Sequence, residues 1–124
     1  MKIAVIGLGG MGRHHAQVLQ KLDLVTAVTG FDLSAEMRAA AEKEGLKRTV
    51  ASLETLLAGR PDAVFVVTPP AAHAACIRPC LEAGIPVLTE KPLTTDLATG
   101  RELVALAARK GVNFQVGFEL RYCG

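Results

Sequence analysis

The sequence predicts an α/β protein of the doubly wound class, with one parallel sheet covered by helices on both faces. Short runs rich in Val and Ile alternate with helical patterns along the chain, which is typical of a parallel sheet with crossover helices. Half of the 124 residues are hydrophobic but only 4% are aromatic, so we expect a core of Val, Leu, Ile and Ala. This length suits a single domain spanning residues 1–124.

Each element is predicted from its local pattern. Strands are expected at residues 2–6, 25–31, 49–51, 63–67, 87–89 and 113–118. Helices are expected at residues 11–22, 34–44, 53–58, 71–83 and from a cap at Thr95 or Asp96 to about residue 109. Ser34 and Ser52 are predicted helix caps, and Gly45 and Gly84 are predicted helix stops. Pro79 lies inside the fourth helix and is expected to kink it.

Six strands joined by five crossovers make a complete doubly wound sheet. The common spatial order of such a sheet is 3-2-1-4-5-6, the Rossmann fold. The continuous apolar strand at residues 63–67 is expected to be buried on both faces. In this fold, ligands bind at the carboxyl ends of the strands, so polar residues at those ends are the candidate site.

Charge and composition argue against several classes of function. The 14 Lys and Arg residues against 12 Asp and Glu residues leave a net charge of +2 with no basic block, which disfavours nucleic-acid and membrane-surface binding. No apolar run approaches the roughly 18 to 20 residues of a membrane span, and the glycine-rich start does not fit a signal peptide. Cys76, Cys80 and Cys123 lack disulfide-framework spacing, so we expect reduced thiols and a cytoplasmic protein.

A glycine-rich turn follows the first strand. Gly7, Gly9 and Gly12 fit the pattern G-x-G-x-x-G between a strand and a helix. The first glycine permits a tight turn, the second lets a pyrophosphate approach the backbone, and the third lets the helix pack closely on the strand. The N–H groups near Gly10 and Met11 are then expected to face the phosphates of a dinucleotide.

An acidic residue follows the second strand at the expected distance. Asp32 lies 20 residues beyond Gly12, where a carboxylate accepts hydrogen bonds from the adenosine ribose, and Leu33 follows it at the same tip. The alternative is a loop residue that only caps the next helix. A carboxylate there would repel the 2′-phosphate of NADP, so NAD is expected and NADP is less favoured. Arg38, on the following helix, could serve a phosphate, but it lies four residues beyond the cap and is expected to be solvated.

The fourth and fifth strands end in two further candidate segments. "VTPPAAH" brings Thr68, Pro69 and His73 to the carboxyl edge, where His73 contacts the cofactor or, alternatively, only holds the loop by a hydrogen bond. "TEKP" brings Glu90 and Lys91 to the same edge. The following proline biases the lysine toward extended backbone.

Together these segments resemble a known family. "GLGGMGRHHAQVL", "GFD", "VVTPPAAH", "LEAGIPVLTEKPL" and "NFQVGFELRY", in this order, resemble the amino-terminal domain of the Gfo/Idh/MocA oxidoreductases. The resemblance implies that Glu90 contacts the nicotinamide ribose and that Lys91 is catalytic, bonding the hydroxyl of a sugar-like or polyol substrate. It also implies that Pro92 carries a cis peptide bond.

The resemblance also implies a second domain that supplies the substrate pocket and an Asp and a His for the proton. We expect that domain to be absent from this chain, so that the chain is a nucleotide-binding domain that is truncated or separately encoded. A stand-alone NAD-binding or sensing module and a partner subunit are the alternatives. An uncovered sheet surface would favour a homo-oligomer.

The histidines and two of the cysteines also have structural interpretations. His14 and His15 are expected to be helix residues near the phosphate turn rather than a general base. His73, Cys76 and Cys80 recur at helical spacing, but buried thiols packed on the sheet are favoured over metal ligands, and no metal is expected.

Overall fold

A computed structural model describes residues 1–118, whose strands lie in one six-stranded parallel sheet; Cys123 lies outside the described residues. The strands are β1 (Lys2–Ile6), β2 (Ala27–Phe31), β3 (Thr49–Val50), β4 (Ala63–Val66), β5 (Val87–Glu90) and β6 (Phe114–Gly117). The helices are α1 (Gly10–Leu19), α2 (Ala35–Lys43), α3 (Leu53–Ala58), α4 (Pro70–Glu82) and α5 (Leu97–Lys110).

The strand order is β3-β2-β1-β4-β5-β6, which confirms the predicted Rossmann topology. Ile6 pairs with Phe31 on one side and with Val66 on the other. Glu90 pairs with Gly117. Since the strands are parallel, the segments that follow them meet at one carboxyl edge, and the order reverses between β1 and β4.

Helices cover both faces of the sheet, as predicted. Buried side chains of α1 and α2 join one core cluster, and those of α3, α4 and α5 join the other. β4 contributes to both clusters, since Val64 and Val66 are fully buried on one face and Phe65 packs on the other. Phe65 is only partly buried, so the predicted burial of β4 is less complete on the α1 and α2 face.

Most helix ends follow the predicted capping residues. Ser34 and Ser52 accept bonds from backbone N–H groups inside α2 and α3. Asp96, rather than Thr95, caps α5 through the N–H of Thr99. Gly45 follows α2 with a φ of 101°, a left-handed conformation that favours glycine.

Several boundaries differ from prediction, two of them by more than one residue. α1 ends at Leu19 rather than at residue 22, and β2 begins at Ala27 rather than at residue 25. Between them the chain turns, and Leu24 points its side chain to solvent with 77% exposure. The apolar pattern therefore predicted both elements to be longer than they are. β5 extends to Glu90, so the glutamate belongs to the strand itself.

Pro79 does not end α4. The helix includes it and continues to Glu82, and Ala83 donates its N–H to the Pro79 carbonyl at 3.0 Å. Pro79 has no N–H, so one backbone hydrogen bond of the helix is missing, but the helix continues past it.

The helices of the described residues are short. α5, with 14 residues, falls below the roughly 20 residues that cross a bilayer. Within residues 1–118 no helix is long and apolar enough to span a membrane.

Candidate functional site: the carboxyl edge of the sheet

Two of the three motif glycines are required by the fold itself. Gly7 has a φ of 94°, and a Cβ there would lie 2.8 Å from the Val67 carbonyl. A Cβ on Gly12 would lie 1.8 Å from the Gly7 carbonyl oxygen. The predicted tight turn and the close packing of helix on turn are therefore both present.

The second glycine leaves open space instead. A Cβ on Gly9 or on Gly10 would meet no heavy atom within 4 Å. No side chain caps the amino end of α1, and its first turn holds no acidic residue. The first N–H groups of a helix have no partner within the helix. This end of α1, including Met11, therefore fits an anion such as a pyrophosphate.

Asp32 joins the glycine turn to the tip of β2. Its Oδ2 accepts the Leu8 N–H at 2.8 Å and its Oδ1 accepts the Ser34 N–H at 2.9 Å. The carboxylate is only partly buried, and two bonds leave acceptor positions on both oxygens. It thus holds the turn in place and still has acceptor sites for ribose hydroxyls.

The expectation that Arg38 is solvated was wrong. Its Nη1 donates to the carbonyl oxygens of Asp32 at 2.7 Å and Leu33 at 3.0 Å, and the side chain is partly buried. A guanidinium is therefore fixed beside the predicted ribose carboxylate. Leu33 itself is 83% exposed at this tip.

His73 supports the loop instead of facing a ligand. The ring is fully buried. Its Nε2 lies 2.8 Å from the Thr68 carbonyl and its Nδ1 lies 2.8 Å from the Pro92 carbonyl. These contacts join the loop after β4 to the loop after β5. The geometry therefore favours the loop-holding alternative over direct cofactor contact.

The rest of the proline loop is closer to the predicted picture. Pro69 is exposed and precedes α4. The Thr68 hydroxyl is buried and has no hydrogen-bond partner within residues 1–118. Burial raises the pKa of the neighbouring Cys76 and the Thr68 side chain lowers it, although the two groups do not meet hydrogen-bond geometry. The hydroxyl at the end of β4 is therefore a polar group that the described residues leave unsatisfied.

The Glu-Lys-Pro segment lies at the same edge. The Lys91–Pro92 peptide bond is cis, as the resemblance implied. Lys91 is exposed. Glu90 ends β5, and its Oε1 lies 3.1 Å from Nε2 of His15 on α1. Side chains from both halves of the sheet therefore meet here.

Sequence reasoning missed two basic residues of α1. Arg13 donates to the Leu8 carbonyl at 3.0 Å and to Glu44 at 2.8 Å, which ties the glycine turn to α2. His15 pairs with Glu90, and its ring centroid lies 6.0 Å from that of Phe65. The signal available in the sequence was spacing alone: His15 falls about one turn beyond Gly12.

The thiols of α4 are packed groups. Burial raises the pKa of Cys76, and it raises the pKa of Cys80 to about 12. A protonated thiol is a poor metal ligand and a poor nucleophile. Within residues 1–118 no group of His, Cys, Asp and Glu side chains is arranged to hold a metal ion.

A second cleft lies at the opposite, amino-end edge of the sheet. It encloses about 630 Å³ and its lining includes Lys2, Lys47 and Arg48. These exposed cations could attract an anion without specificity. A binding experiment must therefore distinguish a ligand bound at the carboxyl edge from an anion bound at the amino-end edge.

Comparison with known proteins agrees with the Rossmann topology of the chain. Residues 1–118 match the Gfo/Idh/MocA family model, described as an oxidoreductase family with an NAD-binding Rossmann fold. An inositol 2-dehydrogenase of Rhodococcus erythropolis is 37% identical over 126 residues, covering 98% of this chain and 36% of the relative.

Solved structures show the same similarity. Scyllo-inositol dehydrogenase from Lactobacillus casei, with bound NAD(H) and scyllo-inositol, has 27% identity and a TM-score of 0.87 over 98% of this chain and 37% of that chain. A putative NADPH-dependent oxidoreductase from Desulfitobacterium hafniense has 26% identity and a TM-score of 0.89 over 98% and 35%. The chain spans about a third of the length of these proteins.

Proposed function

The chain belongs to the Gfo/Idh/MocA family of oxidoreductases and forms that family's NAD-binding Rossmann domain; from this premise we propose that it serves a dehydrogenase of a sugar or polyol alcohol. One observation carries the proposal. The uncapped amino end of α1, with open space at Gly9 and Gly10, stands directly beside the carboxylate of Asp32. A phosphate site next to a ribose acceptor suits an adenine dinucleotide.

The two halves of the cofactor are proposed to lie on opposite sides of the point where the strand order reverses. Asp32 and Leu33, after β2, take the adenosine half. Thr68, Glu90 and Lys91, after β4 and β5, take the nicotinamide half. The support is positional, because dinucleotides lie across this crevice in doubly wound sheets.

NAD is proposed as the preferred cofactor. The half-buried carboxylate of Asp32 disfavours a 2′-phosphate, whereas Arg38 lies close enough to soften that penalty. Arg38→Ala is therefore expected to weaken NADP binding about threefold and to leave NAD binding unchanged. Calorimetric titration with each cofactor measures both. Equal loss for NAD and NADP would contradict the assignment.

Lys91 is the proposed catalytic residue. NAD, when bound, supplies the acceptor for a hydride taken from the alcohol carbon. An exposed ammonium at the carboxyl edge can hydrogen-bond the alcohol oxygen and stabilise negative charge that develops on it. The proton acceptor is proposed to come from outside residues 1–118. Of the three described histidines, His15 is bonded to Glu90 and His73 to backbone carbonyls, and His14 is an exposed residue of α1.

Calorimetry followed by an activity assay tests this function. The 124-residue chain is titrated with NAD and NADH and then assayed for dehydrogenation of inositol and glucose. Lys91→Met serves as the matched control: NAD binding is expected to fall only slightly, and any turnover that the unmodified chain shows is expected to be lost. Binding without any turnover supports either a stand-alone binding or sensing module or a nucleotide-binding domain whose substrate pocket is supplied elsewhere, whereas turnover would show that a substrate site can form on this chain. Absence of binding contradicts both.

A homo-oligomer in the cytoplasm is also proposed. The homo-oligomer is supported by the exposure of apolar side chains on α5, where Leu97 is 69% and Val104 is 54% exposed. The cytoplasm is supported by the unpaired thiols Cys76 and Cys80, because a reducing compartment keeps thiols free. Sedimentation velocity is expected to show a concentration-dependent dimer that Val104→Ser weakens. A monomer at all concentrations would contradict the assembly.

A further inference from the structure

His15 and Glu90 join the phosphate-binding helix to the strand that precedes the catalytic lysine. His15 lies in the second turn of α1, and Glu90 is the last residue of β5. The Nε2 to Oε1 distance is 3.1 Å, with side-chain exposures of 26% and 24%. Their positions are 75 residues apart in the sequence. The contact thus links two elements that the sheet order places on opposite sides of the crevice.

Packing holds both partners of this pair. The His15 ring lies against Phe65 of β4, with centroids 6.0 Å apart. On the other side, a Cβ on Gly117 of β6 would lie 3.8 Å from both carboxylate oxygens of Glu90. The carboxylate is therefore enclosed between α1 and the end of β6. A pair so enclosed loses less energy to solvent and side-chain motion than an exposed pair does.

The direction of the hydrogen bond follows from the groups involved. An ionised carboxylate only accepts, so Nε2 of His15 must carry the hydrogen. The bond thereby fixes the rotation of Glu90 and leaves its second oxygen, Oε2, without a hydrogen-bond partner among the described residues. An oriented acceptor at the end of β5 suits a hydroxyl of the nicotinamide ribose.

We propose that His15 is a positioning residue that orients Glu90 toward the nicotinamide half of the bound dinucleotide. The inference rests on the proposed function, because it assigns Glu90 to that half. His15 itself touches the cofactor neither through the phosphates nor through the ribose; it acts through Glu90. The interaction therefore strengthens the binding of ligands that possess a nicotinamide riboside and does not affect the affinity of ligands that lack one.

Comparison of NAD with ADP tests this assignment. ADP retains the adenosine and the two phosphates but has no nicotinamide half. His15→Ala is expected to weaken NAD binding about fivefold and to leave ADP binding unchanged. General damage to α1 would instead weaken both ligands, because both bind at its amino end.

The chain offers matched variants. His14→Ala removes an exposed ring from the same turn of α1 and is expected to change neither affinity. His15→Gln retains an N–H donor at a similar reach and is expected to restore most of the NAD affinity. In a double-mutant cycle, His15→Ala added to Glu90→Gln is expected to cause little further loss of NAD affinity, since the two residues act as a unit.

Each outcome bears on a separate claim. If the unmodified chain binds ADP but not NAD, or neither, the proposed function fails. If it binds NAD and His15→Ala changes NAD and ADP equally, or changes neither, the positioning role is overturned. Full additivity with Glu90→Gln would overturn it as well. Circular dichroism of each variant confirms that the compared proteins are folded.

Discussion

The two halves of the carboxyl edge are organised differently. On the β1 and β2 side, the groups offered to a ligand are backbone N–H groups and a carboxylate, and Asp32 is fixed by backbone donors from Leu8 and Ser34. On the β4 and β5 side, the groups are side chains, and Glu90 is fixed by another side chain, His15. The first half therefore depends on the backbone of the fold, whereas the second depends on contacts between side chains.

This difference has a practical consequence. Substitutions at Gly7 or Gly12 disturb the packing of helix on strand, so that stability and binding change together. Substitutions at Glu90, His15 or Lys91 leave the sheet intact and act on one part of the ligand. A variant on the β1 and β2 side that weakens binding without changing stability would therefore sharpen the comparison most.

The largest expected effect is that of Gly12→Ala. The added methyl carbon would lie 1.8 Å from the Gly7 carbonyl oxygen, so the helix must move away from the turn. We expect a loss of about 3 kcal/mol in the free energy of unfolding, measured by urea denaturation. Stability equal to that of the unmodified chain would show that the glycine turn is not packed as described.

Gly9→Ala is the matched variant, and its expected effect is confined to binding. The new methyl group meets no protein atom within 4 Å, and the backbone at Gly9 has a φ of −62°, which alanine adopts readily. Stability is therefore expected to be unchanged. NAD affinity is expected to fall at least about tenfold, because the methyl group enters the space assigned to the pyrophosphate. Unchanged affinity by calorimetry would remove the phosphate from this position.

Asp32→Asn tests the adenosine end with a smaller expected effect. The amide oxygen can still accept one backbone N–H, so the turn is expected to remain folded. Loss of the charged acceptor is expected to weaken NAD about fivefold and to weaken NADP less. Titrations with both cofactors measure the ratio. A shift of the ratio toward NAD would contradict the assigned contact with the ribose.

The smallest effect concerns a helix cap that does not touch the site. The Thr99 backbone N–H lowers the pKa of Asp96 below its usual 3.8. The carboxylate therefore adds stability that is present above pH 3.8 and is lost as the pH falls through the lowered value. Asp96→Ala is expected to lower the Tm at pH 7 and to lower it less at pH 2. A difference independent of pH would contradict the charged cap.

Local patterns were sufficient to predict the caps Ser34 and Ser52 and the glycine turn, because each depends on residues close together in the sequence. The strand order was predicted instead from the alternation of strands and helices, since one order is common for such a sheet. The end of α1 was not predicted, because the apolar residues Leu22 and Leu24 continue the helical pattern while remaining exposed in a turn.

The contacts that complete the site were beyond local reasoning. The pairing of His15 with Glu90 depends on how α1 crosses the sheet, which no short pattern encodes. Arg38 was judged by its distance from the cap, but its long side chain reaches back to the carbonyls of Asp32 and Leu33. His73 has polar neighbours from two separate loops, so its buried position could be recognised only in the folded chain.

Amide NMR during titration with NAD tests the central claim most directly, because it reports where the ligand binds as well as whether it binds. The account predicts saturable shifts at Leu8, Gly9, Gly10 and Met11, with further shifts at Glu90 that NAD causes and ADP does not. Shifts confined to the amino-end cleft around Lys2 and Lys47, or none at all in the folded chain, would contradict it.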